Sequence, residues 1–230
     1  LFWVLRGGDE EGLEQYLIDD AYRRTSLRDH FFQDCVSTDD IWKGVYTELG
    51  DFVRGEYQLE TSADSVLLIR RGTAGLEARQ NMCLSKRIRL VQGASRIEIQ
   101  YDIRNDGVAP MHAVFGVEFA VNLLAGTAFD RYYRSDDRDL GYAKLGERGC
   151  DDALCHIALR DDWQRLEYGL RFSRPAWVHR FAVETVSQSE AGQERVYQGS
   201  IVLPCWQLDI DGGAAESLAL SVEILETAAS

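Results

Sequence analysis

From about residue 45 onward, apolar and polar residues alternate with a period of two. That is the pattern of strands with one buried face and one wet face. The clearest case is 96–104, where Ile97, Ile99, Tyr101 and Ile103 share one side and Glu98, Gln100 and Asp102 the other. Asn105, Asp106 and Gly107 then form a turn that tolerates positive φ. The next strand is predicted over 112–124, with Phe115, Val117, Phe119, Val121 and Leu123 on one side. Its other side carries Val114, Gly116, Glu118 and Ala120, so that side is expected to be half covered. The alternation returns at 166–172, 178–186, 196–203 and 218–225, with earlier candidates at 44–49, 57–60, 66–70 and 82–91. Many short strands without a long amphipathic helix predict an all-β fold, a large antiparallel β-sandwich.

The pattern before residue 45 is different. Ser26 followed by Asp29 has the form of a capping box, and predicts a short helix carrying Leu27, His30 and Phe31. Thr38, Asp39 and Asp40 predict a second short helix ending near Gly44, with the acids at its positive end. The chain is therefore expected to form one domain over 1–230. Residues 1–44 would be a lead-in with short N-terminal helices, and 45–230 the sandwich.

Composition narrows the partners. With 25 basic and 38 acidic side chains the formal charge is −13. Such a field disfavours nucleic acid and anionic membrane, while a neutral polyol meets no such barrier. No apolar run approaches the roughly 20 residues of a membrane span, and the first residues lack the basic start of a signal peptide. The chain begins without Met, which suggests a fragment or processed chain. Cys35, Cys83, Cys150, Cys155 and Cys205 are odd in number and scattered. They suggest reduced, buried thiols and a cytoplasmic location.

Few motifs carry chemistry. Phosphate-binding loops, the dinucleotide fingerprint and the nucleophile elbow are absent from the sequence, so no cofactor is expected. Cys150, Cys155 and His156 lack the spacing of structural zinc, and the acidic stretch 135–139 lacks a calcium-loop pattern, so no metal site is expected. Glu118 and Glu184 sit in apolar strand contexts, and His112, His156 and His179 lie in or beside strands. A His/Glu pair of that kind could move a proton in a sugar epimerase, but Arg-paired structural carboxylates are the commoner use. The densest polar segment is 184–200, read as a loop between two apolar strands. Its Ser187, Gln188, Ser189 and Glu190 match sugar hydroxyls, and Tyr197 and Trp206 offer flat faces for a pyranose ring.

These residues also carry a resemblance. ETVSQSE at 184–190, followed by ERVYQGS at 194–200, is similar to a signature of the C-terminal domain of glycoside hydrolase family 57 enzymes, of the α-amylase and 4-α-glucanotransferase type. DAYRRTSLRDHFF at 20–32 resembles the segment leading into that domain, and ELGDFV at 48–53 its first strand region. FGVEF at 115–119, LAG at 124–126 and DRYY at 130–133 resemble its central strand and following loop. The matches run in the family's order over about 13–206. The resemblance implies a galactose-mutarotase-like sandwich. It also implies a catalytic (β/α) barrel elsewhere in the parent enzyme as partner, since the family's catalytic carboxylates have no counterpart positions here.

The reading that follows is a non-catalytic module of an α-glucan-processing enzyme, supporting the barrel and able to bind α-glucan or maltooligosaccharide. The alternatives are a freestanding mutarotase-like sugar epimerase and a purely structural module. Candidate carbohydrate or interface residues are Glu118, Arg131, Tyr132, Tyr133, Glu184, Ser187, Gln188, Ser189, Glu190, Glu194, Tyr197, Gln198 and Trp206. Glu190 and Glu194 are expected to pair with Arg131 or Arg134, bringing the 130–133 and 184–198 segments to one edge. Trp177 or Trp206 would then present a ring beside them.

Overall fold

Tyr101 and Phe115 stand on strands that share no hydrogen bonds, yet their rings meet edge-on with centroids 5.6 Å apart. Contacts of this kind show two stacked layers in the computed structural model, which describes residues 12–34, 36–76, 78–141, 143–189 and 192–228. The strands are β1 (Arg28–Phe32), β2 (Gln58–Thr61), β3 (Ser65–Ala74), β4 (Gln80–Leu90), β5 (Arg96–Asn105) and β6 (Met111–Val121). They continue with β7 (Arg131–Arg134), β8 (Gly149–Asp161), β9 (Leu166–Ser189), β10 (Gly192–Ile210) and β11 (Ala215–Glu226). Helical structure among the described residues is a 3-10 turn, Leu13–Tyr16, and α1 (Thr38–Lys43).

Hydrogen bonding runs in the order β1-β6-β10-β9-β11-β5-β4-β3-β2, with β8 on β9 and β7 on β8. The 24-residue β9 passes from one layer to the other: its first part pairs with β11 and its second with β10. One layer is therefore β1, β6, β10 and the end of β9. The other runs from the start of β9 through β11, β5, β4 and β3 to β2. Strand β8 follows β9 through the bend with register shifts around Leu154, the usual way for a strand to change direction.

The apolar rows predicted for β5 and β6 meet between the layers, where Ile99, Tyr101, Phe115, Val117 and Phe119 are buried. A second, smaller core lies on the outer side of the β6–β10 layer. There Phe32, Ile41 and Trp42 of the lead-in cover Val114, Phe181, Ile201, Leu203 and Cys205. The half-covered side expected of β6 is this surface. Helix α1 forms as predicted: Ser37 accepts the Asp40 N–H, and Gly44 closes it in the left-handed region at φ 68°.

Three expectations are corrected. Residues 26–31 form no helix: 26 and 27 are a turn, and strand β1 begins at Arg28. Ser26 does not cap a helix; its hydroxyl bridges the N–H and C=O of Ala120 on β6. Strand β1 is buried on both sides, with Asp29 and Phe31 toward the main core and His30 and Phe32 toward the outer one. Such a strand shows no alternation, and its Leu27, His30, Phe31 spacing imitates a helix. Residues 44–49 form no strand, only isolated bridges at Glu48 and Gly50. The described residues of 184–198 form not a loop but two paired strands, 184–189 on β9 and 192–197 on β10. Of the cysteines, Cys83 and Cys205 are buried, whereas Cys150 is exposed and Cys155 half-buried; Cys35 lies outside the described residues. No helix among the described residues is long and apolar enough to cross a membrane.

Candidate functional site

Three of the segments singled out in the sequence converge on one buried polar node. Strand β1 aims His30 outward, its neighbour β6 aims Glu118 outward, and 20–24 folds over both. Glu118 is fully buried. Its Oε2 accepts from the Tyr22 hydroxyl at 2.6 Å and from Arg24 Nη1 at 3.1 Å. His30 Nε2 lies 3.3 Å from the Tyr22 hydroxyl, and His30 Nδ1 lies 2.9 Å from Glu48 Oε2. Glu48 Oε1 accepts the Phe31 N–H at 2.7 Å, and Arg24 also holds Asp20 at 2.7 Å. Burial, with the adjacent Glu118 charge, pushes the Tyr22 hydroxyl far above its ordinary range. Burial raises Tyr46 to about 12. Both phenols are therefore neutral hydrogen-bonding groups at physiological pH.

One atom of the node is left over. Glu118 Oε1 is buried and has no hydrogen-bond partner. An unsatisfied buried carboxylate oxygen is costly, and native structures retain few of them. Beside the node opens a cavity of about 400 Å³ lined by Tyr22, Arg24, Tyr46, Glu48, Asp51 and Arg54. Two phenol rings with carboxylates and guanidinium groups form a lining suited to hydroxylated ligands or to a polar peptide segment. The sequence reading found Glu118 here but missed Tyr22, Arg24, His30, Tyr46 and Glu48. The signal for Tyr22, Arg24, His30 and Glu48 was the two family-like motifs themselves, DAYRRTSLRDHFF and ELGDFV; Tyr46 lies in neither.

A second grouping joins the other two family-like segments. The Tyr133 hydroxyl donates to the Leu145 carbonyl at 3.3 Å, and Ser200 Oγ donates to the same oxygen at 3.0 Å. The Tyr197 hydroxyl lies 2.7 Å from Ser200 Oγ. The Tyr197 ring packs on Gly126 so closely that a Cβ there would fall 2.5 Å from it. A bulge between Tyr197 and Gly199 turns this ring onto Gly126. Tyr133 and Tyr197 are thus brought together, but as packing at the base of a projecting ribbon.

That ribbon is the end of β9 with the start of β10. Residues 184–189 and 192–197 pair only with one another, whereas β6 reaches β10 no further than Ser200. Glu184 pairs with Arg195 at 3.5 Å, Arg195 also donates to the Tyr16 hydroxyl at 2.7 Å, and Gln198 donates to Thr185 at 3.0 Å. Ser187 is half-buried, and Gln188 and Glu194 are exposed. Ser189 lies at the end of β9, and Glu190 lies outside the described residues.

The expected partners of the arginines differ. Arg131 holds Asp130 and Asp161, and Arg134 holds Asp136 and Glu167. Tyr132 is half-buried opposite Arg160. Trp206 presents no ring: it is 3% exposed, packs edge-on against Phe172 and donates to the Arg174 carbonyl. Strand alternation places it on the core side of β10. Trp177, 45% exposed, is the accessible indole of the two.

His30 lies 3.8 Å from Glu118 within the node, but the three histidines singled out from the sequence have other partners. His112 pairs with Asp209 on the surface, His156 Nδ1 accepts the Asp136 N–H, and His179 bonds Thr38. Among the described residues no group of three or more potential metal ligands occurs.

Comparison with known proteins agrees with this assembly of segments. Residues 6–220 match the family described as alpha-amylase/4-alpha-glucanotransferase, C-terminal. An alpha-amylase of Dictyoglomus thermophilum is 28% identical over 213 residues, covering 89% of this chain and 29% of the relative. A 4-alpha-glucanotransferase of Thermococcus kodakarensis is 24% identical, covering 81% and 24%. The solved 4-alpha-glucanotransferase of Thermococcus litoralis superposes with a TM-score of 0.76 at 22% identity, over 93% of this chain and 29% of that one. An aldose epimerase homologue from C. elegans gives 0.56 at 11% identity, over 96% and 87%, and shares the fold alone. The chain thus spans less than a third of the length of these amylase and glucanotransferase relatives. It belongs to the family of alpha-amylase/4-alpha-glucanotransferase C-terminal domains.

Proposed function

We propose that this chain is the accessory domain of an α-glucan-processing enzyme, that it holds no catalytic centre, and that it supports a catalytic (β/α) barrel. The observation carrying this reading is the family match over 6–220 in a chain that is under a third of its relatives' length. Two features support it. The β9–β10 ribbon projects as two strands held mainly at its base, and a two-stranded ribbon in water is marginal unless something packs on it. The cavity beside Glu118 has the aromatic and polar lining that a glucan or a neighbouring domain would use. The epimerase alternative rests on fold likeness, which does not carry activity, and on the buried His30–Glu118 pair, whose facing atoms are both engaged by the Tyr22 hydroxyl.

The test is direct. The purified chain is incubated with maltoheptaose, and is expected to yield neither hydrolysis nor transfer. Conversion that disappears in Glu118→Gln or Glu184→Gln would overturn the reading. Intrinsic fluorescence is then followed during titration with maltooligosaccharides. A saturable change places glucan at the domain; no change at millimolar sugar assigns the cavity to the domain interface.

A further inference from the structure

The outer face of the second layer holds a site of a different character. Four neighbouring strands, β4, β5, β11 and β9, set their outward side chains in register. Arg87 lies opposite Gln100, and Gln100 opposite Ala219. In the next row Arg89 lies opposite Glu98, Glu98 opposite Ser221, and Ser221 opposite Arg171. Strand β11 thus contributes only Ala219 and Ser221 as a low floor. Arginines rise from β4, beyond β5, on one side and from β9 on the other, and enclose a groove of about 380 Å³. Arg96 enters from the end of β5.

Charge gives this groove its meaning. The chain as a whole is −13, yet the groove is lined by Arg87, Arg89, Arg96 and Arg171 against one carboxylate, Glu98. Glu98 is shared by Arg89 at 2.5 Å and Arg96 at 3.5 Å, and Arg171 holds Asp136 outside the groove. Arg87 makes no ion pair among the described residues, and Arg96 Nε is enclosed without a hydrogen-bond partner. Like charges gathered this densely repel one another unless an anion comes between them.

We propose that the groove binds a phosphorylated saccharide, with the phosphoryl group held by the β4 arginines and the sugar lying over Ala219 and Ser221 toward Arg171. Guanidinium groups grip phosphate oxygens in pairs, which a neutral sugar does not exploit. The walls stand three strand spacings apart, ~14 Å, so a bare phosphate meets one wall and a hexose bearing a phosphoryl group reaches both. Gln100 and Glu98 offer hydroxyl partners along the way.

Calorimetric titration of the 230-residue chain at low salt tests this with three probes: inorganic phosphate, glucose 1-phosphate and maltose. Glucose 1-phosphate is expected to bind saturably and more tightly than phosphate, and maltose is expected not to displace it. Arg87→Gln and Arg171→Gln, one from each wall, are each expected to weaken glucose 1-phosphate by about tenfold, the loss of one charge-assisted contact. Both side chains are exposed, so the melting temperature should be unchanged. Absence of binding at 10 mM (roughly the weakest affinity of use) overturns the proposal. So does equal affinity for phosphate and glucose 1-phosphate with Arg171→Gln silent. Displacement of bound glucose 1-phosphate by maltose also overturns it.

Discussion

Two carboxylates lie fully enclosed on adjacent strands, and they are used differently. Asp29 on β1 faces the space between the layers; Glu118 on β6 faces the outer core. Asp29 Oδ2 accepts from Lys86 Nζ at 2.7 Å and from the Tyr57 hydroxyl, and Oδ1 accepts from the Tyr101 hydroxyl at 2.9 Å. Lys86 also donates to the Leu27 carbonyl at 2.6 Å and lies 4.4 Å from the Tyr57 ring centre. Both oxygens of Asp29 are occupied. Glu118 instead keeps one buried oxygen without a partner, behind Tyr22 and Arg24, which line an open cavity. A satisfied node fixes how two layers stack, whereas an unsatisfied node beside a cavity is the one equipped to receive something.

The largest expected effect breaks the first node. Lys86→Met fills much the same volume but leaves the Asp29 charge buried without its cation. Removing one partner of a buried pair costs about 3–5 kcal/mol, so chemical denaturation should show a loss in that range. A loss under ~1 kcal/mol would mean that the node does not hold the layers together. The cavity beside Glu118 should keep its ligand or interface behaviour in this variant.

Acid sensitivity must be separated from both nodes before it is interpreted. Burial lowers His179 from 6.5 to about 4. The unfolded chain takes up a proton near pH 6.5, while the folded chain resists until about pH 4. His179 therefore contributes stability that is fully present above pH 6.5 and lost as pH falls from there through 4. The shift corresponds to about 3 kcal/mol. Melting temperatures between pH 7.5 and 4 should fall less steeply in His179→Gln than in the parent chain. Parallel slopes would remove His179 from the account.

How much of this was legible beforehand depends on which side of a strand was wet. Strands β5 and β6 follow from alternation because one row of each meets the core. Strand β1 is enclosed on both sides, so its polar members Asp29 and His30 sit where alternation expects nothing. The partners of Asp29 come from residues 28, 57 and 72 positions further on, Tyr57, Lys86 and Tyr101, a separation that no local pattern encodes. Glu118 was legible as an acid in an apolar row. Its companions Tyr22, Arg24 and Glu48 were visible only as motifs without a stated purpose. The bend in β9 at Arg174 and Pro175 makes one strand read as two, because the apolar row breaks where the strand changes layers.

Within the second node, Glu118→Gln keeps the shape and removes the charge. Tyr22 and Arg24 can still bond the amide oxygen, so the expected loss is about 1–3 kcal/mol, smaller than for Lys86→Met. The amide nitrogen then takes the place of one carboxylate oxygen. If that oxygen receives a donor from a glucan or a neighbouring domain, the variant should weaken the association more than it weakens the fold. Native-gel or fluorescence titration alongside denaturation distinguishes the two. Equal losses in both would reduce Glu118 to a structural group.

The smallest and most discriminating effect compares two phenols. Tyr22→Phe removes one donor from Glu118, and Tyr57→Phe removes one donor from Asp29. Each deletes a single hydroxyl from an otherwise unchanged ring, and each should cost about 1 kcal/mol of stability. Their consequences for binding should separate. Tyr22 lines the cavity, so its loss should change the response to maltooligosaccharide or to the partner domain. Tyr57 lines no part of that cavity, and its loss should leave the response untouched. Equal stability with unequal binding would establish that one node serves the fold and the other the surface it opens onto. If the two variants respond alike, the unpaired Glu118 oxygen is a defect of packing and not a feature of the site, and the difference between the nodes disappears.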